Sequence, residues 1–294
     1  MELRVLRYFL AVAREESISG AAEYLHLSQP TISRQLMDLE EELGKKLFIR
    51  GNRSVTLTEE GNFLRKRAGE IIDLVEKTTS ELSAMDNDLA GDIYVGAAET
   101  EGVHFLTRTA HQLQKQYPQL HFHISSGDAM DVTDQLDKGL IDFGLLFDPI
   151  NQNKYNAYQL PVHDTWGVLV RRDSPLAEKK SVAPKDLIDK PLIISRNLRE
   201  GSPLDGWLGK SLRGLNIAAT YSLAYNASLM VEDGIGCALI LDKIINTSGD
   251  SPLCFRPLAP ALHAHMSIVW KKYQVFSKPA EKFLTVLRQE EAPT

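Results

Sequence analysis

The sequence predicts an N-terminal all-α winged helix-turn-helix, a long linker helix, and an α/β domain of two lobes. Three patterns carry this reading. Residues 17–40 hold two short helical repeats around a polar turn, and residues 58–88 hold one long helical repeat. From residue 91 onward, short β-prone runs alternate with amphipathic helical ones. A chain of 294 residues, 43% hydrophobic and 24% charged, has the length and composition for two or three globular domains.

The opening segment places Leu6, Phe9, Leu10 and Ala13 at i, i+3, i+4 and i+7, one apolar helix face. Ile18, Ala21, Ala22 and Leu25 repeat the pattern, with two alanines where helices must cross closely. Ile32, Leu36, Leu39 and Leu43 form a third apolar row. Ser28 or Gln29 suits its N-cap, and Pro30 its first turn, where a missing N–H costs nothing. The polar face carrying Thr31, Ser33, Arg34 and Gln35 then points outward, the geometry of a recognition helix in a major groove. Gly44 ends that helix, and two short β-prone runs around Gly51-Asn52-Arg53-Ser54 read as a hairpin. Beside a helix-turn-helix this hairpin is a wing, with Arg50 and Arg53 in reach of phosphates or a minor groove.

From Thr58 the apolar row becomes Leu64, Ala68, Ile71, Val75, Thr78, Leu82, Met85 and Leu89, in steps of four and three. A 3.5-residue repeat flanked by charge predicts left-handed pairing of helices. Leu64, Ala68, Ile71, Val75, Leu82 and Met85 are the expected dimer seam. After a hinge at Gly91 the pattern is strand 93–97, helix 103–117, strand 120–125, helix 128–138 and strand 141–147. A polar crossover at 148–153 precedes strands at 165–171 and 191–195, a helix at 204–212 and a strand at 217–223. A helix at 226–233, strands at 237–241 and 264–270, and a closing helix at 277–287 complete the chain. This order describes two α/β lobes with the chain crossing between them twice. The expected division is a DNA-binding domain at 1–58, a linker helix at 59–90, and a regulatory domain at 91–294. Lobe I takes about 91–161 and 266–294, lobe II about 162–265.

Net charge is −6, so contact with nucleic acid is confined to a local patch. Cys237 and Cys254, without a CxxC spacing, read as buried thiols in a reducing compartment. No apolar run reaches the ~20 residues of a membrane span, and Arg4, Arg7, Arg14, Glu15 and Glu16 interrupt any secretory signal. The expectation is a cytoplasmic protein.

Phe9, Ser17, Ala21, Ala22, Leu25, Ser28, Gln29, Pro30, Ser33, Leu39, Glu40, Gly44, Leu47, Phe48, Arg50, Thr56, Leu57, Thr58 and Gly61 together resemble the start of the LysR-type transcriptional regulators. LVRRDSPLA, DLIDKPLII and VEDGIGCALI are looser signposts in the same order, so the resemblance spans the chain. It implies a bacterial regulator with an effector domain shaped like a periplasmic binding protein. Its implied partners are promoter DNA, further copies of the chain as homodimer or tetramer, a small metabolite, and RNA polymerase.

For DNA, the candidate residues are Ile18, Ser28, Gln29, Pro30, Thr31, Ser33, Arg34, Met37, Arg50 and Arg53. Gln29 can pair with adenine and Arg34 with guanine in the major groove. Glu40, Glu41 and Glu42 lie behind that helix, so few basic contacts and a shallow salt dependence are expected. For the effector, binding-protein folds place ligands at strand ends and helix N-termini between lobes. The candidates are Ala98, Glu99, Thr100, Gly127, Asp128, Phe147, Ser195, Arg196, Tyr225 and Asn226. The family often has Ser or Thr where Ala98, Glu99 and Asp128 stand. Two carboxylates favour a polar or zwitterionic ligand over a plain dicarboxylate, unless Arg196 offsets them or they serve only as acids at helix N-termini.

An enzyme lacks a motif: there is no GxSxG or HExxH, and the pairs His121/His123 and His263/His265 have no Cys or carboxylate at ligand spacing in sequence. Neither a metal nor another cofactor is expected. A stand-alone small-molecule binding protein of the same α/β fold is the alternative, opposed by the helix-turn-helix.

Overall fold

A computed structural model describes residues 1–51, 54–84, 89–198, 201–209 and 214–289. The chain divides into two compact units, Met1–Ser83 and Ala84–Thr294.

The first unit begins with α1 (Leu3–Glu15), α2 (Ile18–Leu25) and α3 (Gln29–Leu43). Ser17 caps α2 by accepting from the Gly20 N–H. Ser28, the better of the two expected residues, caps α3 by accepting from the Thr31 N–H. Gly44 closes α3 at φ 64, a left-handed position that glycine adopts without a Cβ penalty. Phe9, Ala21, Ile32, Leu36 and Leu39 are fully buried together. Leu43, expected in this row, is instead exposed, and Glu40 takes its place inside. Strands β1 (Phe48–Arg50) and β2 (Val55–Leu57) pair antiparallel as the wing, with Phe48 packed on Phe9 at 5.2 Å between ring centres.

The linker helix α4 is Glu59–Ala84. Gly61 lets its first turn press on the chain before the wing, where a Cβ would meet the Leu47 carbonyl at 2.1 Å. Leu64, Ala68 and Ile72 are buried in the core of the unit's own helix-turn-helix. This corrects the expected seam. Leu64 and Ala68 are spent within the subunit, Ile71 and Val75 are half-buried, and Leu82 is 59% exposed. Met85 lies outside the described residues. A helix packed on one side along half its length shows the same four-three spacing as a pairing helix, and the sequence does not separate the two.

The second unit is built on a sheet of order β4-β3-β5-β11-β6-β9-β7-β8, with β10 also on β6. Its strands are β3 (Gly91–Ala97), β4 (Leu120–Ser126), β5 (Phe143–Phe147), β6 (Tyr155–Arg171), β7 (Leu192–Ser195), β8 (Ile217–Tyr221), β9 (Cys237–Leu241), β10 (Leu253–Pro257) and β11 (His263–Lys271). Helices α5 (Val103–Gln116), α6 (Ala129–Lys138) and α9 (Lys278–Leu287) pack on lobe I, and α7 (Pro203–Leu208) and α8 (Ala224–Glu232) on lobe II. Phe105, Phe143 and Phe283 fill the lobe I core; Leu239, Ile240 and Val231 are among the buried residues of lobe II.

Strand β6 is 17 residues long, ten more than its expected portion at 165–171. Together with β11 it forms both crossings between the lobes. The two strands are hydrogen-bonded to each other through the crossing, with a register shift between His265 and Ser267. The polar alternation of Asn156 to Asp164 hid the first half of β6, which lies half-exposed.

Candidate functional site

The first candidate site is the outer edge of α3. Gln29, Pro30, Thr31, Arg34 and Met37 are exposed, Ser28 as well, while Ser33 and Ile18 are half-buried. The Ser28 and Thr31 hydroxyls are 2.7 Å apart, so both sit at the start of the helix. Arg34 makes no hydrogen bond or ion pair among the described residues, and its guanidinium stands one turn beyond Pro30. The exposed row therefore presents an amide, two hydroxyls and one guanidinium, the groups that read base edges and phosphates. Of the wing, Arg50 belongs to β1 and pairs with Val55, whereas Arg53 lies outside the described residues.

Glu40 joins this edge to the wing. Its side chain is 3% exposed; Oε1 accepts from the Leu47 N–H at 2.8 Å and the Phe48 N–H at 3.3 Å, and Oε2 meets Lys46 Nζ at 2.9 Å. Burial opposes its ionisation, but the Lys46 ammonium and the two N–H groups outweigh it and hold the carboxyl below its usual range. A buried acid on the inner side of α3 is thus a strut between that helix and the wing.

The second candidate site is a cleft of about 690 Å³ between the lobes. Ala98, Glu99, Gly127, Asp128 and Phe147 from lobe I line it, as does Ser195 from lobe II. Trp166, Tyr221 and Ile240 add an apolar wall, and His263 and His265 contribute from the crossing strand. Four expected residues lie outside the lining: Arg196, which reaches Asp128 from beside it, and Tyr225, Asn226 and Thr100. Tyr225 and Asn226 are exposed on α8, outside the lining, because α8 starts two residues earlier than expected and turns them away. Thr100 is turned toward the strand crossing, where its hydroxyl donates to Asp164.

Two of the cleft acids, Asp128 and Glu99, bridge the lobes. Asp128 caps α6, accepting from the Met130 and Asp131 N–H groups at 2.8 and 3.0 Å. It also receives Arg196 from lobe II, through Nε at 2.8 Å and a second, shorter bond from the same guanidinium. Burial opposes its ionisation, but these donors outweigh it and hold the carboxyl down at about 2. Glu99 reaches from the end of β3 to accept from the Ala224 N–H, at the first turn of α8. Leu223, the N-cap of α8, has no capping side chain, so the other lobe supplies the cap. Both are acids at helix N-termini, and both also tie one lobe to the other.

At the crossing, Asp164 is 2% exposed. Burial, with the Asp242 and Glu101 carboxylates nearby, pushes it up to about 6 against the pull of the Thr100 hydroxyl. His163 packs against His263 at 4.4 Å and His265 at 5.5 Å between ring centres. Across the β3–β4 register the fold brings a carboxylate to the pair His121 and His123: Asp92 Oδ1 is 3.7 Å from one and 3.1 Å from the other. Among the described residues no group of three such side chains converges as metal ligands. Cys237 and Cys254 are buried and free, and burial pushes the Cys237 thiol up to about 11.

Residues 3–62 match the bacterial regulatory helix-turn-helix family of lysR type, and residues 86–292 match the LysR substrate binding domain. The chain belongs to the LysR family. It is a LysR-type transcriptional regulator, with a DNA-binding helix-turn-helix and a substrate-binding domain. This LysR-type chain is 34% identical to the HTH-type transcriptional regulator YtlI of Bacillus subtilis (strain 168) over 81% of its length and 77% of that protein's. It is 26% identical to the HTH-type transcriptional regulator YfeR of Shigella flexneri over 98% of its length and 94% of that protein's. Its fold is that of CbnR, a LysR family transcriptional regulator, with a TM-score of 0.75 over 98% of this chain and 99% of that one at 20% identity. No helix among the described residues is long and apolar enough to cross a membrane.

Sequence reading missed Glu40 and Asp164 as structural parts of these sites, and Asp148, Trp166, Tyr221, Ile240, His263 and His265 as lining of the cleft. Asp148 lines the cleft, accepting from the Ser267 hydroxyl at 3.0 Å and the Gln159 amide at 3.3 Å. The only signal for Glu40 was its place among the LysR-family matches.

Proposed function

We propose that this LysR-type regulator reads promoter DNA through Gln29 and Arg34, and takes its small-molecule effector between the lobes at Ala98, Glu99, Gly127, Asp128, Phe147 and Ser195. The observation that carries the first half is the exposed Gln29–Arg34 edge backed by a fully buried helix face. The second half rests on two acid bridges across an apolar cleft, which couple lobe closure to whatever fills it. Ile71, Val75 and Leu82 of α4, beside exposed Phe63 and Leu74, are the face that pairs two subunits. Pairing multiplies the affinity of a head with few basic contacts. The absence of a catalytic motif supports a regulator without enzyme activity, and binding to promoter DNA implies a cytoplasmic protein.

Arg34→Ala is expected to weaken capture of the cognate promoter fragment about fivefold or more, about 1–3 kcal/mol for a lost bidentate base contact, with no change in thermal stability. Unchanged capture refutes the assignment. Leu74→Glu with Leu82→Glu is expected to shift the protein to single chains in sedimentation at micromolar concentration; persistence of the dimer refutes the α4 face.

A further inference from the structure

We infer that Glu99 is a tethered anion that makes the inter-lobe cleft refuse carboxylate ligands and accept neutral or cationic ones. This rests on the cleft being the effector site. Helix α8 has nine residues, and its N-terminus faces the cleft through Leu223 and Ala224. Such a terminus is where a ligand's carboxylate would dock. Here the position is filled from within: the Glu99 carboxylate already accepts the Ala224 N–H.

The remaining charges give the same sign. Glu99, Asp128 and Asp148 are the acidic groups of the lining, and no lysine or arginine lines the described cleft. Arg196 adjoins the lining, and its guanidinium is engaged by Asp128 and, at 3.4 Å, by Asp131. An incoming carboxylate would meet Glu99 and Asp148, like charges without an ion-pair partner among the described residues, and find the α8 terminus occupied. An ammonium or amide with an apolar body meets the Trp166, Phe147 and Ile240 wall and acceptors instead.

The test uses benzoate, benzamide and benzylamine, which share a ring and differ in charge, in thermal-shift measurements on the full chain. The assay runs at about pH 8. The wild-type protein is expected to melt higher with benzamide or benzylamine, by about 3–5 °C at ten times Kd, and not with benzoate. Glu99→Ala frees the α8 terminus, so benzoate is expected to stabilise that variant by a similar shift. Adding Ala224→Pro removes the N–H and cancels this gain. Proline suits the first helical position, and Leu223 is already extended (φ −118, ψ 134), as a residue before proline must be.

Stabilisation of the wild type by benzoate, or no gain in Glu99→Ala, overturns the inference while leaving the cleft as the ligand site. A benzoate gain that survives Ala224→Pro places the anion elsewhere and also overturns it. If none of the three probes shifts either protein, the cleft reading falls with it.

Discussion

A single carboxyl at the strand crossing has the sharpest pH signature. Asp164 is pushed up to about 6 against an ordinary 3.8, so the folded protein binds one more proton than the unfolded chain between those values. Its contribution is therefore favourable below pH 4 and is lost as pH rises through 6. The full swing is of order 1–3 kcal/mol at about 1.4 kcal/mol per unit. Asp164→Asn, which keeps the neutral form, is expected to flatten this part of the stability–pH curve and raise the melting temperature at pH 8. Urea titrations at several pH values read it directly. A curve with the wild-type slope between pH 4 and 6 rules Asp164 out as its source. Nothing in the sequence flags this residue, because its hydroxyl partner stands 64 positions earlier and the two meet only in the folded lobe pair.

Among elements, the recognition helix and the wing behave as one piece because Glu40 binds the Leu47 and Phe48 N–H groups from inside α3. Glu40→Ala leaves both donors without their acceptor and is expected to cost the first unit about 1–3 kcal/mol. DNA affinity should fall with it, and Glu40→Gln should recover part of both. A chemical melt of the isolated variant chains, followed beside promoter binding, checks the pair of effects; equal stability in all three proteins contradicts the strut. Local pattern was enough to find α1, α2, α3, the wing hairpin and most of the α/β alternation, because caps such as Ser17 and Ser28 and apolar spacing are written within a few residues. The long β6 strand escaped because half of it is polar and half-exposed. The α4 stripe misled because Leu64 and Ala68 obey a spacing that serves packing within a subunit as well as between subunits. In the cleft, strand ends located Ala98, Glu99, Gly127, Asp128, Phe147 and Ser195, whereas Tyr225 and Asn226 failed on a two-residue error in where α8 starts.

At the scale of the whole molecule, the Arg196–Asp128 and Glu99–Ala224 contacts join one lobe to the other across the cleft. Asp128, held at about 2 rather than 3.8, contributes stability that is complete above pH 4 and is lost as pH falls toward 2. Arg196 is half exposed, so the pair is partly screened and worth about 1 kcal/mol in a double-mutant cycle of Asp128→Asn and Arg196→Ala. The same cycle, followed by hydrogen exchange at α6 and β7, is expected to show faster opening of both segments in each single variant. Identical exchange in all four proteins would mean that the bridge does not restrain the lobes.

The paired crossing strands carry a consequence for how this architecture can be taken apart. His163 and His265 are direct neighbours across β6 and β11, so the chain leaves lobe I and re-enters it at two points only about 5 Å apart. Everything between them is, topologically, a cargo held on a stem. Replacing residues 164–264 with a two-residue Asn-Gly turn would convert the stem into an ordinary hairpin, and the trimmed product is expected to melt cooperatively as a small free-standing module built on the Phe105, Phe143 and Phe283 core.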